Sequence, residues 1–279
     1  MPERRGRRML RSGLVACDAG GSAAPLLCIG HPGHEVRVHG WLTAARPLVC
    51  VLTDGSGHHG ISRLASTSRL LATVGAEPGP VFGRFSDRAL YATLRRGDVQ
   101  AWERLARELA ELLERRSIRL VVGDAAEGFN PGHDVCRFVI DAAVALAARH
   151  GHHVESLEFA LEAAPGGGTG PLGRRLILDD EALDLKIAAA RAYVQLRPDV
   201  DRALERFGRE AFREEWLGPP STARVVAECD GAAPGYERHG SDRVASGLYD
   251  EPLTWRAHVR PVWEHLAALV PEITTCACS

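Results

Sequence analysis

The stretch "APLLCIGHPGHEVRVHGWL", residues 24–42, decides the fold because it joins a strand to a helix through a short loop. Its first part, 24–30, is predominantly apolar, which predicts a strand covered on both faces. The segment 35–45 has apolar residues at helical spacing and predicts a short helix. His31 and His34 lie in the loop between them. A strand, a loop and a helix in this order form the repeating unit of α/β proteins.

The same alternation continues as far as residue 161. Strands are predicted over 47–55, 79–85, 118–125 and 153–161, and helices over 62–76, 98–116 and 134–150. Alternating strands and helices are typical of a mostly parallel sheet with helices on both faces. We therefore predict an α/β fold of the Rossmann-like kind.

The chain changes character after the glycine-rich segment 162–171. Helices are predicted over 179–196, 199–217 and 252–270, the last interrupted by Pro261. These segments predict a mostly helical C-terminal extension. The predicted division is a mobile basic tail over 1–23, an α/β core over 24–170, and a helical extension or cap over 171–279 that packs on the core.

The composition is that of a globular protein, with 45% hydrophobic and 25% charged residues. A net charge of −2 argues against nucleic acid or an anionic membrane surface as the main partner, because neither would be attracted overall. No apolar run approaches the roughly 20 residues that span a bilayer. The seven cysteines include no CxxC pair and suggest no disulfide framework, so a cytoplasmic location is predicted. An oligomer is compatible with the sequence.

The word Pro-Gly-His followed by an acid occurs twice, at 32–35 and 131–134. Each word follows a predicted strand, and open α/β sheets bind ligands at the carboxyl ends of their strands. If the two strands are neighbours, His31, His34 and His133 converge above one edge of the sheet. Three imidazoles with an open fourth position are a known arrangement for catalytic zinc. The alternative is two ordinary turns, since Pro-Gly is a common turn sequence and the chain has 12 histidines.

Six stretches carry a resemblance to a known family. They are "GHPGHE" (30–35), "LTDGSG" (52–57), "RLASTSRLLATVG" (63–75), "GRFSD" (83–87), "NPGH" (130–133) and "KIAAARAYVQ" (186–195). In order and spacing they resemble the motifs of the LmbE-like, PIG-L-type (GlcNAc-PI de-N-acetylase) deacetylases, whose first motif reads A-H-P-D-D-E. The resemblance covers 24–196. It implies an α/β zinc enzyme that removes N-acetyl groups from amino sugars.

The first motif of this chain diverges from that of the family. The resemblance implies that His31, His34 and His133 bind Zn²⁺ or another divalent metal, with His34 in place of an aspartate. Imidazole is also a good zinc ligand, so this change keeps a metal-binding set. The general base of the family, however, falls on Gly33, which has no side chain. The histidine that assists oxyanion stabilisation in the family falls on Asn130.

Two carboxylates are candidates for the missing proton acceptor, which must lie within hydrogen-bond reach of the attacking water. Asp54 ends the second predicted strand, and Glu35 directly follows His34. The alternatives are that Asp54 is a solvated turn residue in "TDGSG", and that Glu35 supports its neighbours as the acid at this position does in the family. Asn130 is the candidate donor to a developing oxyanion, a role that needs no titration.

Four residues are candidates for substrate binding. Arg63 and Asp87 match positions that contact the sugar in the family, and their ordinary interpretation is a helix-start charge and a loop acid. Tyr236 and His239 lie in 235–261, a segment dense in His, Arg and Tyr. A solvated polar face explains the same composition. Further candidates for the mouth or lining of a pocket are His58, His59, Arg243 and Tyr249, and His239 or His258 is a further candidate for the missing proton-transfer group.

The sequence thus predicts a metal-dependent hydrolase, an N-deacetylase acting on a small-molecule or glycoconjugate substrate that carries an N-acyl amino sugar. Two alternatives stay open. Gly33 favours a sugar- or metal-binding protein that kept the scaffold and lost turnover, and an aspartate at this position would then create or raise activity. The other alternative is a metal-dependent esterase or phosphoesterase.

Overall fold

The computed structural model describes residues 23–57, 60–165, 173–247 and 250–269. Residues 1–22 of the predicted tail lie outside the described residues, as do His58, His59 and Tyr249.

A five-stranded parallel sheet forms the centre of the molecule. Its strands are β1 (Leu26–Ile29), β2 (Leu48–Thr53), β3 (Glu77–Phe85), β4 (Leu120–Asp124) and β5 (Glu155–Phe159). They lie in the order β3-β2-β1-β4-β5, and every neighbouring pair is parallel. In the central strand β1, Cys28 pairs with Cys50 of β2 and with Gly123 of β4. The predicted parallel sheet is confirmed, and the two strands that precede the Pro-Gly-His words are neighbours.

Ten α-helices lie among the described residues. They are α1 (His39–Ala45), α2 (Leu64–Val74), α3 (Asp87–Arg95), α4 (Val99–Arg115), α5 (Pro131–Arg149), α6 (Asp180–Ala192), α7 (Arg197–Phe207), α8 (Thr222–Gly231), α9 (Gly235–Ala245) and α10 (Arg260–Ala268). A 3-10 turn, His34–Val38, precedes α1, so the helix predicted over 35–45 begins in this tighter form. No helix in these parts of the chain has the length and apolar character needed to cross a membrane.

Alternate residues of the central strand face opposite layers of helices. Leu26 and Cys28 pack in a core with α4, α5, α8, α9 and α10. Leu27 and Ile29 pack in a second core with α1, α2 and α6. The prediction of helices on both faces is therefore confirmed. Burial on both faces also explains why this strand reads as a continuous apolar run.

The C-terminal extension is mostly helical, but it also contains two antiparallel strands that the sequence pattern did not predict. They are β6 (Arg174–Ile177) and β7 (Glu214–Leu217). The helix predicted over 199–217 was wrong in its last part, because α7 ends at Phe207 and Gly208 turns the chain with a φ of +76°. The partner of β7 lies far away along the chain, so the local spacing of apolar residues did not reveal the pairing.

The extension packs on both layers of the core. α10 lies against α4 and α5, and α6 lies against α1. A backbone bridge between Glu158 and Gly218 joins the end of β7 to the edge strand β5. The interruption predicted at Pro261 is observed as a π-helical turn, Trp255–Val259, directly before α10. Proline is tolerated in the first turn of α10 because its missing N–H has no partner to lose there.

Candidate functional site

Three imidazole rings meet above the carboxyl ends of β1 and β4. His31 and His34 follow β1, and His133 lies in the first turn of α5, after β4. The ring centroids of His31 and His34 are 5.2 Å apart. The ring of His133 lies 5.1 Å from the first and 4.6 Å from the second. We call these three residues the imidazole cluster. The two Pro-Gly-His words therefore come together at one point of the sheet edge.

The local backbone brings the rings to this point. Gly33 has a φ of +107°, which a residue with a Cβ rarely adopts, and it starts the 3-10 turn that carries His34. On the opposite side, Asn130 caps α5, because its Oδ1 accepts a hydrogen bond from the Gly132 N–H at 2.8 Å. His133 is thus held in the first turn of a long buried helix.

Carboxylates orient two of the three rings. His31 Nδ1 lies 2.6 Å from Thr53 Oγ1 and 3.1 Å from Asp87 Oδ1. His34 Nδ1 lies 2.8 Å from Asp124 Oδ2. Since an ionised carboxylate only accepts, Nδ1 donates in both rings, and Nε2 is the nitrogen left for another partner. Histidines that bind metal ions are commonly supported by a carboxylate in this way.

Burial sets the charge state of the cluster. It is the main cause that lowers the pKa values of His34 and His133 well below their usual range, and the neighbouring imidazoles add to the effect. Burial also acts to raise the pKa of Asp87, but the hydrogen bond and charge of His31 outweigh it and hold that pKa well below its usual range. Burial raises the pKa of Asp124 to about 6. Neutral imidazole, the form expected of His34 and His133 at neutral pH, is the form that binds metal ions.

The three imidazole side chains are suitable ligands for a divalent cation, but their present orientation does not form a binding site. In the part of the chain that the structure describes, no three His, Cys, Asp or Glu side chains are arranged to hold a metal ion as they stand. Yet His31 Nε2 and His133 Nδ1 are buried there without a hydrogen-bond partner, which is costly unless a ligand satisfies them. Three imidazoles on tetrahedral zinc would have ring centroids about 5 Å apart. The observed separations match this, so a cation requires the rings to turn but leaves the strands and helices in place.

A side chain at Gly33 would have to displace the end of Leu196. A Cβ there would lie 2.3 Å from Leu196 Cδ1. Glu35 is fully buried and accepts hydrogen bonds from the Gly33 N–H, at 2.7 Å, and from the Tyr193 hydroxyl. Burial raises the pKa of Glu35, although these bonds oppose the rise. Glu35 and Tyr193 therefore fix the loop that carries His34, and Leu196 fills the space beside it.

The other two predicted catalytic residues lie in loops beside the sheet edge, Asp54 directly after β2 and Asn130 directly before α5. Asp54 is half-buried and directly follows Thr53, the hydroxyl neighbour of His31. Its Oδ1 accepts a hydrogen bond from the Ser56 N–H at 2.9 Å, which makes an Asx turn. The cap on α5 uses the Oδ1 atom of Asn130, so the amide N–H₂ group of this side chain is left to donate.

The predicted substrate-binding residues lie in two different places. Asp87 supports His31, and its Oδ2 accepts from the Gly57 N–H at 2.6 Å. Arg63 lies close by, where its Nε donates to the Gly55 carbonyl oxygen at 2.7 Å. These two residues are near the imidazole cluster.

Tyr236 and His239 lie on α9, in the other layer of the molecule. Tyr236 is buried in the core that covers α4 and α5. His239 is exposed, and its Nε2 accepts a hydrogen bond from Arg243 Nε at 3.3 Å. The structure does not bring either residue into contact with the described residues of the imidazole cluster.

Sequence reasoning missed Asp124, Thr53 and Tyr193. Asp124 ends β4 and accepts from the Gly30 N–H at 2.7 Å as well as from His34. Asp124 could have been predicted, because an acidic residue at the carboxyl end of the strand beside β1 lies where such sheets bind ligands. Tyr193 gave no such signal, because its partners Glu35 and Thr67 are 158 and 126 residues away in sequence.

A chamber of about 400 Å³ opens beside the imidazole cluster. Gly33, His34 and His133 form one end of it. The end of β5, the loop that follows it, and α6, α7 and β7 supply the rest of the wall. Its apolar lining includes Phe159, Ile187, Ala190, Leu196, Leu204 and Phe212. The C-terminal extension therefore builds a large part of the space next to the cluster.

No protein-family model matches the sequence, and no curated protein matches it. The solved structures to which the chain is similar include the zinc-inhibited form of teicoplanin deacetylase Orf2, at 15% identity and a TM-score of 0.48 over 69% of this chain and 97% of that one. The pseudoaglycone deacetylase Dbv21 is 21% identical, with a TM-score of 0.47 over 71% and 97%. A conserved protein from Thermus thermophilus is 17% identical, with a TM-score of 0.47 over 71% and 93%. The activities named are those of the other proteins and assign no role to residues of this chain.

Proposed function

We propose that this protein is a metal-dependent hydrolase that removes the N-acyl group from an amino sugar or its conjugate. One observation carries the proposal. His31 and the histidines of two distant Pro-Gly-His words form a cluster of largely buried imidazoles at the carboxyl end of a parallel sheet, with ring centroids no more than 5.2 Å apart. Two of these rings have carboxylates behind them, as metal-binding histidines do. The resemblance of the surrounding motifs to the LmbE-like deacetylases supplies the reaction class.

His31, His34 and His133 are the residues that would hold Zn²⁺ or another divalent cation, through nitrogen atoms that carry no proton. When bound, such a cation supplies a Lewis acid for the amide carbonyl and lowers the pKa of water to about 7. Asp87 and Asp124 accept from Nδ1 of two of the imidazoles, which leaves Nε2 of these rings as the atom that would face the cation.

Asp54 is the proposed proton acceptor. Both carboxylate oxygens of Glu35 accept hydrogen bonds inside the protein, so Glu35 is better suited to hold the loop than to take a proton from water. Asp54 is half-buried beside Thr53, which touches His31, and only its Oδ1 is used in the local turn. The amide of Asn130 donates to the oxyanion in this proposal, and Arg63 contacts the sugar.

Turnover of a panel of N-acetylated, O-acetylated and phosphorylated amino sugars by the zinc-supplemented protein tests the proposal. We expect hydrolysis of the N-acyl sugars, lost in His31→Ala and kept in His150→Ala, whose side chain is 66% exposed at the far end of α5. Asp54→Asn keeps the acceptor for the Ser56 N–H and is expected to lower kcat about 10²–10⁴-fold. Asp98→Asn, which alters a similar capping carboxylate at α4, is expected to leave kcat unchanged.

Two results would contradict the proposal. Release of only O-acetyl or phosphate groups would favour an esterase or phosphoesterase built on the same site. Binding of the sugars without release of any group would favour the alternative of a binding protein that lost turnover.

A further inference from the structure

The chamber beside the imidazole cluster is larger than an acetyl group requires. Its volume of about 400 Å³ lies in the range of roughly 300–1,000 Å³ that drug-sized ligands occupy. His34 and His133 stand at one end, so a group that enters the chamber lies next to the proposed reaction centre. The single methyl of an acetyl group would leave nearly all of this space unfilled.

The buried charged groups in the chamber wall are already paired within the protein. Lys186 Nζ donates to Glu215 Oε1 at 2.9 Å and to the Arg37 carbonyl oxygen at 2.8 Å. Glu215 also accepts from two backbone N–H groups at the start of α1, at 2.8 and 2.9 Å. The Arg37 guanidinium donates to the Ala163 carbonyl oxygen at 3.0 Å and to a second carbonyl. These groups need no ligand to satisfy them.

Most of the surface that remains for a ligand is hydrocarbon from several elements, beside the carboxylates of Glu162, Asp199 and Glu214. Ile187 and Ala190 come from α6, Ala203 and Leu204 from α7, and Phe159 from the end of β5. Contact of a polar sugar ring with such a wall contributes little binding free energy. Every methylene group that leaves water to enter the chamber makes the binding free energy more favourable.

We infer that the chamber binds the aliphatic part of a long N-acyl chain, so that the substrate is an amino sugar with a medium- or long-chain acyl group. This inference rests on the proposed function, because that function makes the imidazole cluster the reaction centre. In the reaction, the hydroxyl of water bonds to the acyl carbon and the carbon–nitrogen bond breaks. The nitrogen takes the remaining proton. The products are a fatty carboxylic acid and a free amino sugar.

Calorimetric binding of straight-chain carboxylates with two to ten carbons tests the chamber without any turnover, because these acids are the expected products. We expect the Kd to fall about three- to fourfold for each added methylene until the chamber is filled. Ala190→Trp, which projects into the chamber, is expected to remove this dependence. Ala188→Trp, on the exposed side of the same helix, is the matched control and keeps it. Ala203→Trp on α7 is a second blocking variant should the first fail to fold.

The kcat/KM values of N-acetyl- to N-decanoylglucosamine provide the second readout. We expect them to rise with chain length in the native protein and in Ala188→Trp, and to stay flat in Ala190→Trp. Turnover and carboxylate binding that are both independent of chain length would overturn the inference and leave the proposed function standing. Chain-length-dependent binding without turnover of any acyl sugar would support the aliphatic chamber and refute the hydrolase.

Discussion

The motif resemblance to the LmbE-like deacetylases would place a general base at Gly33, and the backbone and packing around this residue disfavour a side chain there. Its φ is +107°, and a Cβ would lie 2.3 Å from Leu196 Cδ1 and 3.9 Å from Tyr193 Cδ1. The space beside Gly33 is therefore occupied by the end of the Leu196 side chain, and an aspartate at this position requires that side chain to move.

Gly33→Asp is therefore expected to destabilise the protein and not to raise turnover. The positive φ costs an L residue about 1–2 kcal/mol, and overpacking against Leu196 adds about 1–3 kcal/mol. Gly151→Asp is the matched control, since Gly151 has a φ of +80° but open space around its Cβ. Urea denaturation measures the free energy of unfolding of both variants, and Gly33→Asp should lower it more than Gly151→Asp. If Gly33→Asp raised turnover, the result would instead favour the alternative that the protein kept the scaffold and lost its general base.

Some residues of the site are predictable from short sequence motifs, whereas others are placed by contacts between distant parts of the chain. His31, His34 and His133 were predicted because each lies in or directly before a Pro-Gly-His word that follows a strand, and a parallel sheet brings such words to one edge. Leu196 and Tyr193 were not predicted to be near Gly33. Their contacts depend on how α6 and the segment after it return to the first loop, which no local pattern records.

Among the secondary-structure elements, those of the core were predictable except α3, which the sequence pattern did not indicate, and those of the extension were less so. The strands of the sheet and the helices α4 and α5 show apolar residues at periods of two or 3.6, or as continuous buried runs. The short β7 strand lies in a segment whose local spacing predicts the end of a helix. Its conformation is fixed by backbone pairing with β6 and by the contacts of Glu215 with α1 and α6.

Glu215 is the residue through which β7 holds α1 and α6 together. Glu215→Gln leaves the Lys186 ammonium buried without its counter-ion and is expected to lower the free energy of unfolding by about 3–5 kcal/mol. The double variant Glu215→Gln/Lys186→Met removes both charges and should recover most of this loss. Glu214→Gln on the same strand breaks a pair with the exposed Arg175 and should cost less than about 1 kcal/mol. Chemical denaturation of the native protein, these three variants and Lys186→Met alone tests the coupling, and a loss in the double variant equal to the sum of the two single losses would contradict it.

At the scale of the whole molecule, the imidazole cluster joins segments that only the folded chain brings together. The supporting groups come from the ends of β2 and β4 and from the start of α3, in addition to the loops that carry the rings. The unfolded chain has no such constellation. A ligand that uses all three imidazoles therefore binds the native state selectively and stabilises it by mass action.

Zinc is accordingly expected to raise the Tm of the metal-free protein. At a free zinc concentration about 100 times the Kd, the stabilisation is about 2.7 kcal/mol, or about 5 °C for a chain of this size. Elemental analysis should then find one zinc ion per chain, removed by a chelator with reversal of the shift. His31→Ala should abolish both the shift and the bound metal, whereas His150→Ala, with its exposed ring at the end of α5, should keep both. An equal shift in His31→Ala would place the zinc on other histidines, and no shift in the native protein would return both Pro-Gly-His words to structural turns.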